Sequence, residues 1–256
     1  MVTYLLKKSY QHKDLKEIDF KDLWGDHGLF TTMWIFGRPP KILFFKKNIK
    51  NLIKSLTIYK LNKKNIKKNI INFIKINIKK NIKYNHLLRV AINNKIISIS
   101  LRKKPKPKLK FNLKLVNYKR YRPEFKNLKY QVILKYLSKM DTTESDIGLC
   151  NNRKLFESGT SNILFIKNNK IFFSKNKIYK NITLNFFEKK VQKIIKKDIL
   201  IKSLYEYDEI ILIGSGKGVT SIATINDLQW KRKSLKLYNI LSNIYKKEIN
   251  KCLIYK

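Results

Sequence analysis

Residues 28–45 have the sequence GLFTTMWIFGRPPKILFF, and this stretch sets the pattern from which the fold can be predicted. Its first nine residues are rich in aromatic and β-branched side chains, which favour a strand. Glycine and two prolines at 37–40 predict a turn, and residues 41–45 predict the returning strand. Apolar residues then recur at helical spacing over 48–56. The stretch therefore predicts a β-hairpin followed by a helix, as in an α/β fold.

The second half of the chain predicts shorter strands, joined by tight turns and interrupted by two helices. Short apolar runs over 147–173, separated by Asn-rich turns, predict strands joined by tight connections. Helical spacing predicts one helix over about 125–139 and another over about 184–197. The fully apolar run 209–213 predicts a buried strand, and it leads into the glycine-rich segment 214–218. Together with the first half, these patterns predict a mixed α/β (α+β) protein.

Charge is the most unusual feature of the composition. The chain holds 58 Lys and Arg against 17 Asp and Glu, a formal net charge of +41 at pH 7. Such an excess raises a nucleic-acid or anionic-membrane partner as an alternative. Lysine, however, occurs in nearly every segment together with Asn and Ile, the residues that an AT-rich genome encodes most readily. We therefore interpret the charge mainly as compositional bias on a tolerant surface, and expect neither a specific nucleic-acid partner nor a membrane partner.

Cysteine and histidine are too scarce to build a metal site or a disulfide framework. The chain has two cysteines, Cys150 and Cys252, and three histidines, with no close cluster of the two types. The sequence predicts no metal site. Residues 1–8 have their charge after the apolar run and lack a small-residue cleavage site, so they do not resemble a secretory signal. The expected location is the cytoplasm.

The glycine-rich segment 214–218 has two interpretations. After an apolar strand it suggests a phosphate loop, but it lacks the Gly-Lys-Ser/Thr ending of a nucleotide-binding P-loop. Backbone N–H groups and the Ser215 hydroxyl would still hold a single phosphate in a short nest. As a plain turn between two strands the segment would also be unremarkable, so this motif alone decides nothing.

Taken in order, six segments resemble the class IV, or fold type IV, family of pyridoxal-phosphate enzymes. The family includes branched-chain aminotransferases and 4-amino-4-deoxychorismate lyases. The matching segments are 28–33, the helix 48–55, 125–130 around Lys126, Glu157 with 161–163, 178–183, and 208–221. Glu157 follows Lys126 by 157 − 126 = 31 residues, close to the family spacing. The resemblance implies a two-domain fold with a smaller N-terminal α/β domain, 1–117, and a C-terminal pseudo-barrel domain, 118–256.

The resemblance also implies a role for each matching residue toward pyridoxal 5'-phosphate. Lys126 would bind the cofactor covalently and shuttle the substrate's α-proton, while Glu157 would keep the pyridine nitrogen protonated. Tyr130 would hydrogen-bond the ring's phenolic oxygen. The residues that would contact the phosphate are Ile182, Thr183, Ser215 and Gly216. Lys129 is the alternative to Lys126, because it also precedes a tyrosine.

Two features of the matching segments affect the expected activity. The arginine that grips the phosphate in the family is replaced by Asn51, with Lys50 or Lys54 as the nearest cations. In the first strand, Phe30-Thr31-Thr32 looks more like the lyases, since the branched-chain transaminases usually have Glu at the position of Thr31. The resemblance therefore favours a 4-amino-4-deoxychorismate lyase, which releases pyruvate and 4-aminobenzoate for folate synthesis.

Several alternatives stay open at the level of the sequence. A branched-chain or D-amino-acid transaminase would use the same site residues on a small amino substrate. For either reaction, Arg89 and Arg102 are the candidates to meet a substrate carboxylate. An inactive family member and a basic nucleic-acid-binding protein are the other two. A homodimer is expected from the resemblance alone.

Overall fold

The computed structural model describes residues 3–175, 178–191 and 193–255. The chain divides into two compact units. Unit 1 comprises Met1–Lys104, Phe125–Gln131 and Lys251–Lys256, and unit 2 comprises Pro105–Glu124 and Val132–Asn250. This division differs from the predicted one at 117/118, because the strand Phe111–Asn117 pairs with strands of unit 2 and because Phe125–Gln131 returns to unit 1.

The described part of unit 1 contains a six-stranded antiparallel sheet with the order β2-β1-β6-β5-β3-β4. Its strands are β1 (Tyr4–Gln11), β2 (Glu17–Ile18), β3 (Gly28–Gly37), β4 (Lys41–Ile42), β5 (Tyr84–Asn93) and β6 (Ile96–Lys103). Two helices, α1 (Phe45–Ile58) and α2 (Ile66–Asn77), belong to the same unit. The helices bury their apolar stripes in the same core as alternate residues of β3, β5 and β6, as the period of two along a strand requires.

The described part of unit 2 is built on one sheet with the order β12-β11-β10-β13-β14-β7-β8-β9, plus a short strand paired with β14. Its strands are β7 (Phe111–Asn117), β8 (Ser145–Asn151), β9 (Lys154–Ser158), β10 (Asn162–Lys167), β11 (Lys170–Ser174), β12 (Ile194–Lys197), β13 (Glu209–Gly214), β14 (Gly218–Ile225) and β15 (Trp230–Lys231). The helices are α3 (Gln131–Leu137), α4 (Ile182–Phe187) and α5 (Lys236–Asn250), with 3-10 turns at Ile201–Glu206 and Asn226–Leu228. β7 runs parallel to both β8 and β14, so unit 2 mixes parallel and antiparallel pairs.

The predicted elements are confirmed where a segment bonds to its neighbours along the chain. The hairpin strands of 147–173 and the buried strand 209–213 are all present. The helix predicted over 184–197 is wrong: α4 ends at Phe187, and residues 194–197 form β12, which pairs with β11. Gln192, within that prediction, lies outside the described residues. The returning strand 41–45 is shorter than predicted, since α1 begins at Phe45.

Among the described residues, no helix combines the length and the apolar content that crossing a membrane would require.

Candidate active site

Lys126 lies in an extended segment of unit 1 and not on the predicted helix. The backbone N–H of Phe30 donates to the carbonyl of Lys126 at 2.9 Å, and the N–H of Leu128 donates to the carbonyl of Gly28 at 2.9 Å. Asn127 thereby forms a β-bridge with Leu29. Since these hydrogen bonds go to a strand distant in sequence, residues 126–128 are held as an extra edge of the β3 sheet, and the helix α3 begins only at Gln131.

The Lys126 side chain belongs to the sheet face opposite the two helices. Along β3, Leu29, Met33 and Ile35 pack into the helix-side core, so Phe30 projects to the other face. The Nζ atom of Lys126 lies 5.0 Å from the centroid of the Phe30 ring, a cation–π distance. This face, which we call the polar face of unit 1, therefore carries the candidate lysine.

Two further aromatic rings surround Phe30 on the polar face. Tyr130 packs edge-on against it with centroids 5.7 Å apart, and Trp24 does so at 4.9 Å. Tyr130 and Trp24 also stack on each other at 5.7 Å. The predicted cofactor residues Lys126 and Tyr130 thus share one aromatic neighbour, Phe30, which the sequence pattern indicates only as part of a strand.

The polar face also carries two arginines. In the strand pairing, Arg89 of β5 lies opposite Thr32 of β3, while Arg102 of β6 lies opposite Leu87 of β5. Arg89 is buried, forms an ion pair with Asp22, and places its guanidinium carbon 4.4 Å from the Trp24 ring centroid. Burial lowers the pKa of Arg102, and the neighbouring Arg89 lowers it further. The polar face therefore holds two guanidinium groups, of which Arg89 is paired with the Asp22 carboxylate.

Lys129, the alternative to Lys126, has a different environment. Its side chain is exposed, and its Nζ atom donates a hydrogen bond to the carbonyl of Gly25. Lys126 is half-buried beside Phe30. The contact with the aromatic cluster therefore favours Lys126 over Lys129 as the cofactor lysine.

The helix α1 shows what replaces the family's phosphate motif. Asn48 is buried, accepts a hydrogen bond from the Thr31 hydroxyl at 3.3 Å and donates to the carbonyl of Phe44 at 3.0 Å. Asn51 is half-buried one turn later, while Lys50 and Lys54 are exposed. The Asn48 amide therefore fixes α1 to β3, and α1 presents no arginine at this position.

In unit 2, Glu157 forms a buried two-pronged ion pair with Arg120. The Nε and Nη2 atoms of Arg120 donate to the two carboxylate oxygens at 2.8 and 3.0 Å, and both side chains are less than a tenth exposed. Nη2 also donates to the carbonyl of Pro123 at 2.7 Å. Burial raises the pKa of Glu157, and the Arg120 guanidinium opposes that rise.

The loop that follows Glu157 is organised by a buried aspartate. Asp146 of β8 accepts hydrogen bonds from the hydroxyls of Ser158 at 3.0 Å and Thr160 at 2.6 Å. Its cationic neighbour is Lys217, a buried lysine whose Nζ lies 3.8 Å from the carboxylate and donates to the carbonyl of Thr142 at 3.1 Å. Lys217 of the glycine-rich segment is thus directed into unit 2 and serves to hold the turn.

Asn162 and Asn181 bring the predicted phosphate-binding segments together. The Asn162 side chain accepts from the N–H of Asn181 at 3.0 Å and donates to the carbonyl of Tyr179 at 2.8 Å. The Asn181 side chain donates to the carbonyl of Ile213 at 2.7 Å, and it accepts from the N–H of Leu184 as the cap of α4. The start of α4 therefore adjoins the end of β13.

The hydroxyl of Thr183 tests whether a phosphate group fits between the start of α4 and the end of β13. Thr183 is fully buried, and its hydroxyl finds no hydrogen-bond partner among the described residues. Ser215 and Gly216 are half-buried in the turn between β13 and β14, directly after Gly214, which lies beside the Asn181 side chain. A buried hydroxyl without a partner costs free energy, and an anionic ligand would satisfy it. The residues of unit 2 therefore fit a phosphate group.

The sequence patterns missed the residues that support the predicted ones. Trp24, Arg120 and Asp146 carried no signal of their own, because their partners are distant in sequence. Phe30 was indicated only as part of the first strand and its motif, and not as the neighbour of Lys126. In a chain so rich in cations, Arg120 could be found only through its pairing with Glu157. Within the described residues, no group of three or more His, Cys, Asp or Glu side chains is placed to hold a metal ion.

Several solved structures have the same overall fold as this chain, although their sequences are only 10–16% identical to it. A candidate branched-chain amino acid aminotransferase from Thermotoga maritima is 16% identical with a TM-score of 0.75, over 95% of this chain and 96% of that one. A hypothetical aminotransferase from Mycobacterium tuberculosis, in its PLP-bound form, is 10% identical with a TM-score of 0.70, over 95% and 99%. A candidate 4-amino-4-deoxychorismate lyase from Legionella pneumophila is 14% identical with a TM-score of 0.68, over 87% and 91%.

These similarities confirm the predicted two-domain α/β fold of the type IV enzymes. No curated protein sequence matches the chain. The family model for amino-transferase class IV matches residues 28–225, which is most of the chain and includes every predicted site residue. Enzymes of this family use pyridoxal 5'-phosphate. The chain therefore belongs to the class IV aminotransferase family of pyridoxal-phosphate enzymes.

Proposed function

We propose that this protein is a 4-amino-4-deoxychorismate lyase, which releases pyruvate and leaves 4-aminobenzoate. The observation that carries the proposal is the polar face of unit 1, where the amine of Lys126 lies beside Phe30 and two arginines, Arg89 and Arg102, belong to the same face. The substrate is a dicarboxylate: Arg102 would match one carboxylate, and Arg89, which is paired with Asp22, would match the second by exchanging that partner. A branched-chain amino acid would offer one carboxylate and an aliphatic side chain.

The first strand supports the same choice. Thr31 is buried on the helix side of β3, and its hydroxyl bonds to Asn48. This position, where branched-chain transaminases usually have Glu, contributes no carboxylate here. Because this side chain lies on the face of the sheet opposite Lys126, the support comes from the likeness of Phe30-Thr31-Thr32 to the lyases and not from the charge of the polar face.

On unit 1, Lys126 would bind the cofactor covalently, and its amine would then move the proton at the substrate's α-carbon. Because Lys126 is half-buried beside Phe30, its amine nitrogen is partly shielded from bulk water. Tyr130 would donate a hydrogen bond to the phenolic oxygen of the cofactor. When bound, pyridoxal phosphate supplies an electron sink for the bonds of the substrate's α-carbon.

On unit 2, Glu157 would hold a proton on the pyridine nitrogen, and the elements around Asn181 would bind the phosphate. The unpartnered hydroxyl of Thr183 and the half-buried Ser215 supply donors, together with backbone N–H groups of Ile182 and Gly216. With Asn51 in place of the usual arginine, we propose that neutral donors carry the phosphate affinity.

The test combines a product assay with chemical trapping of the lysine. Protein supplied with pyridoxal phosphate and 4-amino-4-deoxychorismate is expected to release pyruvate and 4-aminobenzoate in equal amounts. After borohydride reduction, peptide mass spectrometry should place the cofactor on Lys126. Lys126→Ala is expected to lose both the adduct and several orders of magnitude in rate, because binding and proton transfer use the same amine.

Lys129→Ala is the matched control, and it should keep the adduct and the activity, since Lys129 is exposed and bonded to Gly25. An adduct on Lys129 would contradict the assignment of the lysine. Production of a branched-chain keto acid, without pyruvate from the chorismate derivative, would favour a transaminase. Absence of any adduct in the wild-type protein would indicate an inactive family member.

A further inference from the structure

The Glu157–Arg120 pair has a geometry that is specific for an ionised carboxylate. Arg120 presents two N–H donors, one to each oxygen of Glu157, at 2.8 and 3.0 Å. Each of these N–H donors needs an oxygen lone pair to accept it. If Glu157 were protonated, its proton would occupy one of the positions at which Arg120 donates. Fork-to-fork pairing of this kind is stronger than a bond between neutral groups and fixes the plane of the carboxylate.

Burial works against that ionised form. Glu157 is only 6% exposed and Arg120 only 7%, so neither charge is well solvated. A buried carboxylate without a cation takes up a proton in preference to staying charged. Arg120 is also held by the backbone, since the same Nη2 atom that donates to Glu157 donates to the carbonyl of Pro123 at 2.7 Å. The guanidinium therefore reaches Glu157 already oriented.

Glu157 keeps acceptor capacity after this pairing. Each carboxylate oxygen has two lone pairs, and Arg120 uses one on each oxygen, so further donors can still bind. A protonated ring nitrogen is such a donor. A neutral Glu157 could not balance the positive charge of that nitrogen.

We propose that Arg120 is a positioning residue that holds Glu157 as an ionised, oriented carboxylate for the cofactor's ring nitrogen. The inference rests on the proposed function for the part that concerns the ring nitrogen. The ionisation of Glu157 by Arg120 is a property of unit 2 alone. The two parts can therefore be tested separately.

The first measurement is carbon NMR of the full chain with the side-chain carboxyl of glutamate labelled with carbon-13. Comparison with Glu157→Gln identifies the resonance of Glu157. At neutral pH the wild type is expected to show a carboxylate signal with or without pyridoxal phosphate. Arg120→Met should replace it with the signal of a protonated carboxyl, and Arg120→Lys should restore the carboxylate in part, because it returns the charge without the fork.

The second measurement is nitrogen NMR of bound pyridoxal phosphate labelled at the ring nitrogen. The wild type is expected to show a protonated ring nitrogen, and Arg120→Met should lose that signal. The matched control is Arg153→Met, which removes one exposed arginine from the turn between β8 and β9 of the same unit. It should leave both signals unchanged, with the same thermal midpoint as the wild type.

The possible outcomes are distinct. A carboxylate signal that persists in Arg120→Met overturns the inference. If Arg120→Met does not fold, Arg120→Gln, which keeps donors but not the charge, is judged by the same two signals. If the wild type takes up no pyridoxal phosphate, the proposed function fails, and the carbon signal still decides whether Arg120 ionises Glu157. A changed carbon signal with an unchanged ring nitrogen would overturn the part that concerns the cofactor.

Discussion

At the scale of single residues, Gly28 sets the position of the candidate lysine. A β-carbon at Gly28 would lie 2.3 Å from the carbonyl oxygen of Ile92 and 2.5 Å from a methyl carbon of Leu128. Both distances are shorter than van der Waals contact. Only glycine therefore allows β5 and the Lys126 segment to approach the start of β3 together.

Gly28→Ala is expected to lower the free energy of unfolding by about 1–3 kcal/mol, because overpacking forces backbone to move. The measurement is urea denaturation, together with the yield of the Lys126 adduct, which should fall as the segment is displaced. Gly148→Ala is the control, because the nearest neighbours of its new methyl would be side chains, those of Leu113, Leu115 and Leu155, at 3.0–3.1 Å. Equal losses in the two variants would contradict the role of the Ile92 backbone.

At the scale of elements, the helix α5 depends on a residue of β13. Glu209 is 1% exposed, and its carboxylate accepts the N–H groups of Leu237 at 2.9 Å and Tyr238 at 2.8 Å, with the Ser234 hydroxyl at 3.0 Å. The first-turn N–H groups of a helix have no partner within the helix, and a negative charge there also matches the helix dipole. The strand thus supplies an acidic cap from outside the sequence of α5.

Glu209→Ala is expected to lower the free energy of unfolding by about 1–3 kcal/mol, since two partly buried N–H donors lose their acceptor. Hydrogen exchange of the Leu237 and Tyr238 amides should accelerate more than that of the rest of α5. Glu248→Ala removes the same charge near the other end of the helix and should change stability by less than about 0.5 kcal/mol. Unaltered exchange at the two amides in Glu209→Ala would refute the capping role.

At the scale of the whole molecule, the net charge affects stability through long-range repulsion. With 58 basic and 17 acidic residues, the formal charge of +41 makes the folded chain repel itself. Some of this charge is locally offset, as where Lys154 and Lys175 both contact Asp198. The acids are too few to pair with most of the lysines, so the repulsion persists.

Raising the salt concentration from about 0.01 M to about 0.1 M is therefore expected to stabilise the fold, because the screening length falls from about 30 Å to about 10 Å. Each kcal/mol gained would raise the melting temperature by about 2–4 °C for a chain of this size. Calorimetry of the cofactor-free protein measures this, with sucrose at equal osmolality as the control. A melting temperature that is flat or falls with salt would mean that specific ion pairs outweigh the net repulsion.

Across the whole chain, the elements that could be predicted from sequence are those whose partners lie nearby. The strand that begins at Gly28, the hairpins of β8–β11, and the buried β13 followed by its glycine turn all have periodicity or turn chemistry within a short window. The order and spacing of the motifs around Lys126 and Glu157 likewise indicated the family that the match over 28–225 confirms.

The contacts that those residues make depend on tertiary structure. Residues 125–130 have helical spacing but are extended through 126–128, because their hydrogen bonds go to β3, far earlier in the sequence. Residues 194–197 form a strand because β11 offers an edge with which they pair. The pairing of Arg120 with Glu157 could not be predicted from a chain with so many cations, since residue type carries little information there and only geometry selects one partner.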